Sequence, residues 1–573
     1  MACSLLMYLK TTFMKYLFSL LLIPFVSFAQ SVNIDSIFKN SGEVYFSFFL
    51  DSQEELNSIS KIVSIDHGAE MPEIFAYANK KEFIAFVDYN IPFTIEPKPG
   101  SLFKDLNMLL SLEEKQISDW DFYPSYEVYL EMMYAFETQY PQLCKVTSIG
   151  TSLDGRELLV AKITDSLAVS EKEPKILYTS SMHGDEIAGF VLSLRFIDYL
   201  LSNYETDTRI ANIINNTELW INPLANPDGA YTNDNNTVLN ARRYNSNWVD
   251  LNRNYPDPED GSHPDGNEYQ PETVAFMDFA DSVQFDISSN FHGGAEVANY
   301  PWDSWSSLPA DYDWWLYVMD EYAGFAQENS GNGYFSSFDN GITNGYEWYE
   351  VNGGRQDYMN YFKHCREFTL EISDYKTPAG NDLPYYWDAN YKSFLAYIEQ
   401  GMYGLQGVIT DSITGEPILA EVNIVNHDID NSHVYSHLPN GDYYRYLFQG
   451  NYTLTYSAEG YISKTIPSVS ITNNETMVLD VQLLQTNEVG LLKNTTPDLN
   501  IYPQPANAFL TVEGFPKNST TINIIDIRGK QVRNLSINNN SSISISRDNL
   551  NAGTYFIVFE ADGLTYKKEF VFR

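Results

Sequence analysis

The stretch Lys175-Ile176-Leu177-Tyr178-Thr179-Ser180, followed by His183-Gly184-Asp185-Glu186, decides the fold of the largest part of the chain. Its first six residues form a short, largely apolar run, which is typical of a buried strand. Beyond Glu186, apolar residues recur at helical spacing from Ile187 to Leu201. This strand–loop–helix order predicts an α/β domain over residues 118–402, with a mixed, mostly parallel sheet flanked by helices.

Polar residues that can bind a metal lie at the ends of the predicted strands. His183 and Glu186 follow the first strand, His292 ends a second, and Glu371 ends a third. Open α/β sheets bind their ligands outside the carboxyl ends of the strands. Two imidazoles and one carboxylate are typical of a catalytic zinc site, because three protein ligands leave a position for water. A His-x-x-Glu segment alone is weak evidence, since a histidine near a strand end is more often structural.

Further motifs follow the His-x-x-Glu segment along the same domain: Asn222-Pro223, Asn226-Pro227-Asp228-Gly229, Arg243-Tyr244-Asn245-Ser246-Asn247-Trp248-Val249-Asp250-Leu251-Asn252-Arg253-Asn254, His292-Gly293-Gly294-Ala295, Gly341-Ile342-Thr343-Asn344-Gly345, Trp348-Tyr349, Gly353-Gly354-Arg355-Gln356-Asp357-Tyr358 and Phe368-Thr369-Leu370-Glu371. Together they resemble the zinc metallocarboxypeptidase family, the relatives of carboxypeptidases A and B, and its N/E branch most closely. The resemblance implies one Zn²⁺ ion held by His183, Glu186 and His292.

The same resemblance implies the catalytic side chains. Glu371 matches the general base that takes a proton from water and delivers it to the leaving amine, a role open to a carboxylate beside a metal. Glu367 is its rival within the segment. Arg243 matches the arginine that stabilises the oxyanion, with the neighbouring Arg242 as the alternative register. Tyr349 matches a mobile tyrosine that closes over substrate, although it could be an ordinary core aromatic.

Substrate recognition is implied in the same way. Asn252 and Arg253 match the pair that binds the terminal carboxylate of the substrate, since a guanidinium can bond both oxygens. Asp303 matches the pocket position of the N/E branch, with Gln356 facing it, and this pair predicts release of C-terminal Arg or Lys. The alternative for Asp303 is a solvated loop residue. Arg355 departs from the usual apolar residue and leaves the substrate preference open.

Composition limits the classes of partner. The 573 residues carry 35 basic and 76 acidic side chains, a formal charge of −41. Such a chain repels phosphate backbones, so we expect no nucleic-acid binding. It should instead attract basic peptides. The three cysteines, Cys3, Cys144 and Cys365, are too few for a disulfide framework. Whether Cys144 and Cys365 pair is left open.

The two ends of the chain indicate export. Residues 1–29 read as a signal peptide, with Lys10 and Lys15 before an apolar run and small residues before Gln30. We expect no stable membrane span elsewhere. Residues 500–573 have the alternating pattern of a small β-sandwich. The opening Ile501-Tyr502-Pro503 and the closing Lys567-Lys568-Glu569-Phe570-Val571-Phe572-Arg573 resemble the C-terminal sorting domain of type IX secretion, which implies the secretion machinery as a partner.

Three further segments complete the predicted organisation. Residues 30–117 suggest a small α/β N-terminal domain with a linker-like exit at Pro92, Pro97 and Pro99; it could be a pro-domain, a folding aid or a fixed accessory domain. Residues 403–486 predict a second β-sandwich, whose Gly407-Val408-Ile409 and Ala458-Glu459-Gly460-Tyr461 resemble the transthyretin-like module of the N/E branch. Residues 487–499 are a predicted linker.

The sequence therefore predicts a secreted or cell-surface zinc metallocarboxypeptidase that acts on peptide or protein C-termini ending in Arg or Lys. Two alternatives stay open at this point. One is a catalytically silent peptide-binding protein on the same fold. The other is a carboxypeptidase for modified or cell-wall peptides.

Overall fold

The computed structural model describes residues 33–39, 41–66, 71–102, 106–112, 119–331, 333–486, 499–515, 521–537, 542–561 and 564–573. The predicted signal peptide lies outside the described residues, as does the predicted linker except for Leu499. Within the described ranges, the helices are all too short or too polar to cross a bilayer.

The N-terminal unit is a four-stranded antiparallel sheet in the order β2-β3-β1-β4, with helices beside it. Its elements are α1 (Ile34–Ile37), β1 (Glu43–Phe49), α2 (Gln53–Ser60), β2 (Ser64–Asp66), β3 (Glu73–Asn79), α3 (Lys80–Val87) and β4 (Phe93–Glu96). Phe46, Phe83 and Phe86 lie at the centre of its core. Strand β4 occupies the segment that the prolines suggested was a linker, and it is the edge strand, where proline is tolerated.

Residues 106–112 pack with the next unit and not with the N-terminal core. Strand β5 (Met108–Leu109) pairs with β6 (Tyr123–Pro124), and Leu106 and Leu109 are buried in the large core of the following domain. The core of that domain therefore includes residues that precede position 118.

The central sheet has eight strands in the order β13-β12-β14-β11-β9-β10-β8-β7. The strands are β7 (Cys144–Thr151), β8 (Glu157–Ile163), β9 (Lys175–Ser180), β10 (Glu218–Asn222), β11 (Ile287–His292), β12 (Val297–Tyr300), β13 (Ile342–Asn344) and β14 (Arg366–Glu371). The four central strands β10, β9, β11 and β14 are mutually parallel, and antiparallel pairs flank them. The predicted mixed sheet is thus observed.

Helices cover both faces of this sheet. They are α4 (Tyr126–Gln139), α5 (Ala188–Asn203), α6 (Thr208–Ile214), α7 (Pro227–Ala230), α8 (Pro271–Val283), α9 (Tyr312–Ser330), α10 (Gly345–Trp348), α11 (Arg355–Phe362) and α12 (Leu383–Gln400). Side chains of β9 alternate between the two faces: Ile176 and Tyr178 join the large core with α5 and α12, whereas Leu177 joins the core of α8 and α11. Burial on both faces explains the apolar run that began the sequence analysis.

The remaining strands form two further pairs of sheets. The first pair contains β15 (Gly404–Asp411), β16 (Glu421–Ile424), β17 (Val434–Tyr435), β18 (Asp442–Arg445), β19 (Gly450–Ser457), β20 (Tyr461–Ile462), β21 (Lys464–Ile471), β22 (Thr476–Val478) and β23 (Val481–Gln485) around one core. The second contains β24 (Asn500–Tyr502), β25 (Phe509–Glu513), β26 (Thr521–Asp526), β27 (Gln531–Ser536), β28 (Ser542–Ser546), β29 (Gly553–Ala561) and β30 (Leu564–Phe572) around another.

A buried ion cluster joins the first of these units to the central domain. The Asp311 carboxylate, just before α9, lies 2.8 Å from Arg366 Nη2 at the start of β14 and 2.9 Å from Arg445 Nη1 at the end of β18. Arg445 is fully buried and also pairs with Asp428. The two arginines hold the pKa of Asp311 below its usual range against the opposing effect of burial.

Candidate active site

The predicted metal ligands converge at one edge of the central sheet. His183 and Glu186 lie in the loop between β9 and α5, and His292 ends β11. His183 Nδ1 lies 3.1 Å from His292 Nδ1 and 2.9 Å from Glu186 Oε1, and His292 Nδ1 lies 2.8 Å from Glu186 Oε2. All three side chains are buried. One nitrogen of each imidazole and the carboxylate therefore face a common point.

The other nitrogen of each imidazole is held by a polar neighbour. His183 Nε2 lies 3.0 Å from Asp250 Oδ1, and His292 Nε2 lies 2.8 Å from the side-chain amide of Asn290. Metal-bound histidines commonly have such outer partners, which fix the orientation of the ring. Burial lowers the pKa of His292 to about 4, so its imidazole is neutral, the form that binds a metal. The donor set and its partners fit a zinc ion with an open coordination position.

Arg243 and its neighbour Arg242 point in different directions. The Arg243 guanidinium is buried, lies 3.5 Å from Glu186 Oε1 and is fixed by Asp250 Oδ2 at 2.8 Å from its Nε. Arg242 instead stacks on the ring of Trp248, 4.5 Å from its centroid. Arg243 therefore faces the cavity, as the preferred register predicts.

Glu371 and Glu367 are also separated by the structure. Glu371 lines the cavity, and its Oε2 has no hydrogen-bond partner among the described residues. Burial raises its pKa well above the usual range, and the charge of Glu186 adds to this effect. Glu367 lies on the interior side, where it pairs with Arg355 at 2.9 Å and accepts a hydrogen bond from Ser288 at 2.6 Å.

This contact also settles where Arg355 lies. Its side chain is 1% exposed, and it is held between Glu367, Thr179 and the ring of Phe276. It does not line the cavity in the described part of the chain. Its charge is therefore neutralised by Glu367 and not by a group in the cavity wall.

The predicted recognition residues line the same cavity as the metal ligands. Asn252, Arg253, Tyr349 and Asp303 all contribute to its wall. Arg253 Nη1 donates to the Asn252 carbonyl at 2.8 Å, whereas its buried Nη2 is without a partner among the described residues. Gln356 Nε2 donates to Asp303 Oδ1 at 2.8 Å, so these two side chains face each other as predicted. Asp303 is 4% exposed and is not a solvated loop residue.

Lys376 also belongs to the site, although it was not predicted from the sequence. This fully buried lysine lies 2.5 Å from Glu186 Oε1 and 2.9 Å from Asp66 Oδ1. Burial alone would raise the pKa of Glu186, but the charges of His183 and Lys376 hold it well below its usual range. A lone lysine five residues beyond Glu371 carries no sequence signal, because only the fold brings it to the metal ligands.

The N-terminal unit reaches into the site through β2. Ser64 Oγ donates to Asp250 Oδ2 at 2.6 Å, and Ile65 and Asp66 line the cavity beside the metal ligands. Tyr349 packs against the core of this unit. The cavity that remains measures about 40 Å³, room for roughly three water molecules.

The two internal cysteines are separate. Cys144 is buried in the large core, and Cys365 is buried near Ser288 on the other face of the sheet. Both are free thiols, which answers the question that the sequence left open.

Comparison with known proteins shows which family the chain resembles. The family model "Zinc carboxypeptidase" matches residues 129–393. Carboxypeptidase M of Mus musculus is 36% identical over 361 residues, which cover 58% of this chain and 78% of that protein. The catalytic chain of carboxypeptidase N of Mus musculus is 32% identical over 397 residues, which cover 62% of this chain and 85% of that protein. The chain belongs to the zinc carboxypeptidase family.

Other comparisons concern the length and the end of the chain. Carboxypeptidase D of Mus musculus is 35% identical over 364 residues, which are 59% of this chain and only 25% of that much longer protein. The model "Secretion system C-terminal sorting domain" matches residues 500–573. This match indicates export to the cell surface or the medium.

Proposed function

We propose that the chain is an exported zinc metallocarboxypeptidase that releases C-terminal Arg or Lys from peptides and proteins. The observation that carries the proposal is the meeting of three groups in one cavity: a three-donor metal site, the Glu371 carboxylate, whose Oε2 has no partner among the described residues, and the recognition side chains Arg253 and Asp303. Each group has the chemistry that its role needs, and together they cover the reacting bond, the terminal carboxylate and the side chain.

The mechanism assigns one role to each residue around the scissile bond. A bound zinc supplies Lewis acidity, which makes water more acidic and polarises a carbonyl. Glu371 takes a proton from the attacking water as the water oxygen bonds to the carbonyl carbon of the scissile peptide. It then passes that proton to the nitrogen of the leaving amine as the C–N bond breaks. Arg243 stabilises the negative charge that develops on the carbonyl oxygen. Tyr349 bounds the cavity and is the residue proposed to close over substrate.

Recognition of a free carboxylate would make the enzyme an exopeptidase. The buried Nη2 of Arg253 is without a partner among the described residues, and Asn252 lies beside it in the cavity wall. A substrate carboxylate would supply the missing acceptor in a charge-assisted hydrogen bond.

We therefore expect Arg253→Ala to lower kcat/KM by roughly 10- to 150-fold, equivalent to about 1.5–3 kcal/mol for a hydrogen bond to a charged group. The same peptide with an amidated C-terminus should resist the wild-type enzyme. Steady-state kinetics on the paired peptides measures both effects. Equal cleavage of the acid and the amide would contradict this role for Arg253.

The proposal as a whole is tested with matched peptides ending in Arg, Lys, Phe, Ala or Glu, each with and without a zinc chelator. We expect release of Arg and Lys only, abolished by the chelator and restored by added zinc. Release of Phe or Ala would keep the mechanism and reject the pocket assignment. A zinc-loaded protein that binds these peptides but releases nothing would favour the silent binding protein, and release only from modified or cell-wall peptides would favour the third alternative.

The other units receive supporting roles in this proposal. Within residues 30–117, the N-terminal sheet unit acts as a pro-domain, because Ile65 and Asp66 of β2 line the cavity and Ser64 donates to Asp250. Residues 403–486 form a transthyretin-like structural module beside the catalytic domain at 118–402. Residues 500–573 direct the chain to the type IX secretion machinery, and residues 487–499 link them to the rest.

A further inference from the structure

The turn that carries Asp303 is fixed by a second carboxylate, Asp357, near the start of α11. We propose that Asp357 is a positioning residue and that Gly345 reserves the space for Asp303, so that the two together set the preference for a cationic side chain. This inference rests on the proposed function and names two determinants that the sequence comparison with the family did not assign.

Asp357 grips the backbone of the Asp303 turn. Its Oδ1 accepts a hydrogen bond from the Asp303 backbone N–H at 3.0 Å, and its Oδ2 accepts from the Ser304 N–H at 2.9 Å and from Ser304 Oγ at 2.6 Å. Asp357 is fully buried and Ser304 is 2% exposed. Gln356, which directly precedes Asp357, donates a hydrogen bond to the Asp303 side chain. One turn of α11 therefore binds both the backbone and the side chain of Asp303.

The Asp303 carboxylate is oriented so that its Oδ2 remains available to a substrate. Both of its side-chain hydrogen bonds in the described structure are accepted by Oδ1, from Gln356 at 2.8 Å and from Asn299 at 3.1 Å. The residue lines the cavity. Oδ2 is therefore the oxygen left to accept a hydrogen bond from a guanidinium or ammonium group of a substrate.

Gly345, the first residue of α10, allows this orientation by its lack of a side chain. A β-carbon at position 345 would lie 1.8 Å from Asp303 Oδ1 and 3.0 Å from its Cα. The first distance is far below van der Waals contact, and the second is shorter than an ordinary contact between carbons. Any other residue at this position would force the carboxylate out of its place, so the glycine answers a need for close approach and not for an unusual backbone angle.

The electrostatics of the pair suit a cation. Burial raises the pKa of Asp303 well above its usual range, and the Asp357 charge adds to the rise, while Arg253 opposes it. Burial also raises the pKa of Asp357 to about 6, with Asp257 adding to the rise against the hydrogen bonds from the turn. The hydrogen bonds to both carboxylates come from neutral donors. A substrate cation would supply the positive charge that these buried carboxylates lack.

The test compares peptides that end in arginine or in citrulline, its neutral near-isostere. For Asp357→Asn we expect the ratio of kcat/KM on arginine to kcat/KM on citrulline to fall by roughly 10- to 100-fold, mainly through a higher KM for the arginine peptide. In the wild type the ratio should also fall as pH is lowered through about 6, because Asp357, whose pKa burial raises to about 6, then takes up a proton.

The matched control is Asp286→Asn. Asp286 is also a buried carboxylate that accepts a backbone N–H bond, from Lys175 at 2.8 Å, but it lies before β11, at the opposite edge of the sheet. Its loss should leave the arginine-to-citrulline ratio unchanged. A purely structural role for Asp357 would lower both activities together, as a general loss of folded enzyme does.

Gly345→Ala provides a second variant, with thermal unfolding measured alongside to establish that it is folded. We expect a lower arginine-to-citrulline ratio with cleavage of the citrulline peptide retained. An unchanged ratio in folded Asp357→Asn, or an equal fall on both peptides, would overturn this inference and leave the proposed function intact. Absence of release from every peptide by the zinc-loaded wild type would overturn the proposed function itself.

Discussion

Replacing Glu371 with glutamine should lower kcat by about 10²–10⁴-fold, the usual contribution of a general acid–base group. The amide keeps the size of the side chain but cannot accept the proton from water at neutral pH. Glu371 lines the cavity with Oε2 unpaired among the described residues, so no ion pair is broken by the change. We expect the thermal midpoint and the zinc content to stay close to those of the wild type, as measured by differential scanning fluorimetry and metal analysis.

Glu367→Gln is the matched control for this prediction. Glu367 is fully buried and pairs with Arg355, so its neutralisation leaves a buried guanidinium without its counter-ion. Breaking such a pair can cost up to ~3–5 kcal/mol. We expect a lower thermal midpoint with kcat preserved in the folded fraction. If Glu367→Gln lost most of its kcat while Glu371→Gln kept it, Glu367 and not Glu371 would be the general base.

Reversing the charge of Lys61 should activate the full-length protein. Lys61 of the N-terminal unit lies 2.5 Å from Glu350, next to Tyr349 at the entrance of the cavity. In Lys61→Glu two carboxylates would face each other. Their repulsion should disfavour packing of the N-terminal unit on the catalytic domain by ~1–3 kcal/mol. A shift of that size raises the open fraction, and with it kcat/KM, by roughly 5- to 150-fold as long as the closed form predominates.

The charge-swapped pair isolates this effect. Glu350→Lys alone should activate in the same direction, whereas Lys61→Glu combined with Glu350→Lys should return kcat/KM toward the wild-type value. Additive effects of the two changes would mean that the pair does not hold the unit closed. Activity of the wild type on large peptides that already equals that of Lys61→Glu would reject a covering role for the N-terminal unit.

The convergence of His183, Glu186 and His292 was predictable because they lie at the ends of neighbouring strands, whereas their role as metal ligands was implied by the resemblance to the zinc metallocarboxypeptidase family. The apolar run before His183 and the strand ending at His292 indicated parallel strands, and parallel strands bring their carboxyl ends to one edge. The structure places His292 and Glu371 as direct partners in the register of β11 and β14. The α/β architecture of the domain followed from the same periodicity.

What the sequence could not predict depends on contacts between distant segments. Lys376 reaches Glu186 because the fold of the catalytic domain brings two distant segments together, and Ser64 reaches Asp250 because the N-terminal unit packs on that domain. No local pattern marks such pairs, since each side chain is ordinary within its own segment. Arg355 illustrates the same limit: its neighbour Gln356 hydrogen-bonds Asp303, but the helix turns the arginine toward Glu367.

The ion cluster around Asp311 has a consequence for how the molecule unfolds. Arg366 begins the strand that ends in Glu371, and Arg445 belongs to the sheet unit that follows the catalytic domain. Separating the two units would leave a buried carboxylate or a buried guanidinium without its counter-ion. The catalytic domain and the sheet unit that follows it should therefore unfold in one cooperative transition. The C-terminal unit has a core made of its own residues and should melt separately. We expect calorimetry to show a separate transition of low enthalpy for the C-terminal unit. Removal of residues 500–573 should abolish that transition and leave the enzymatic activity unchanged.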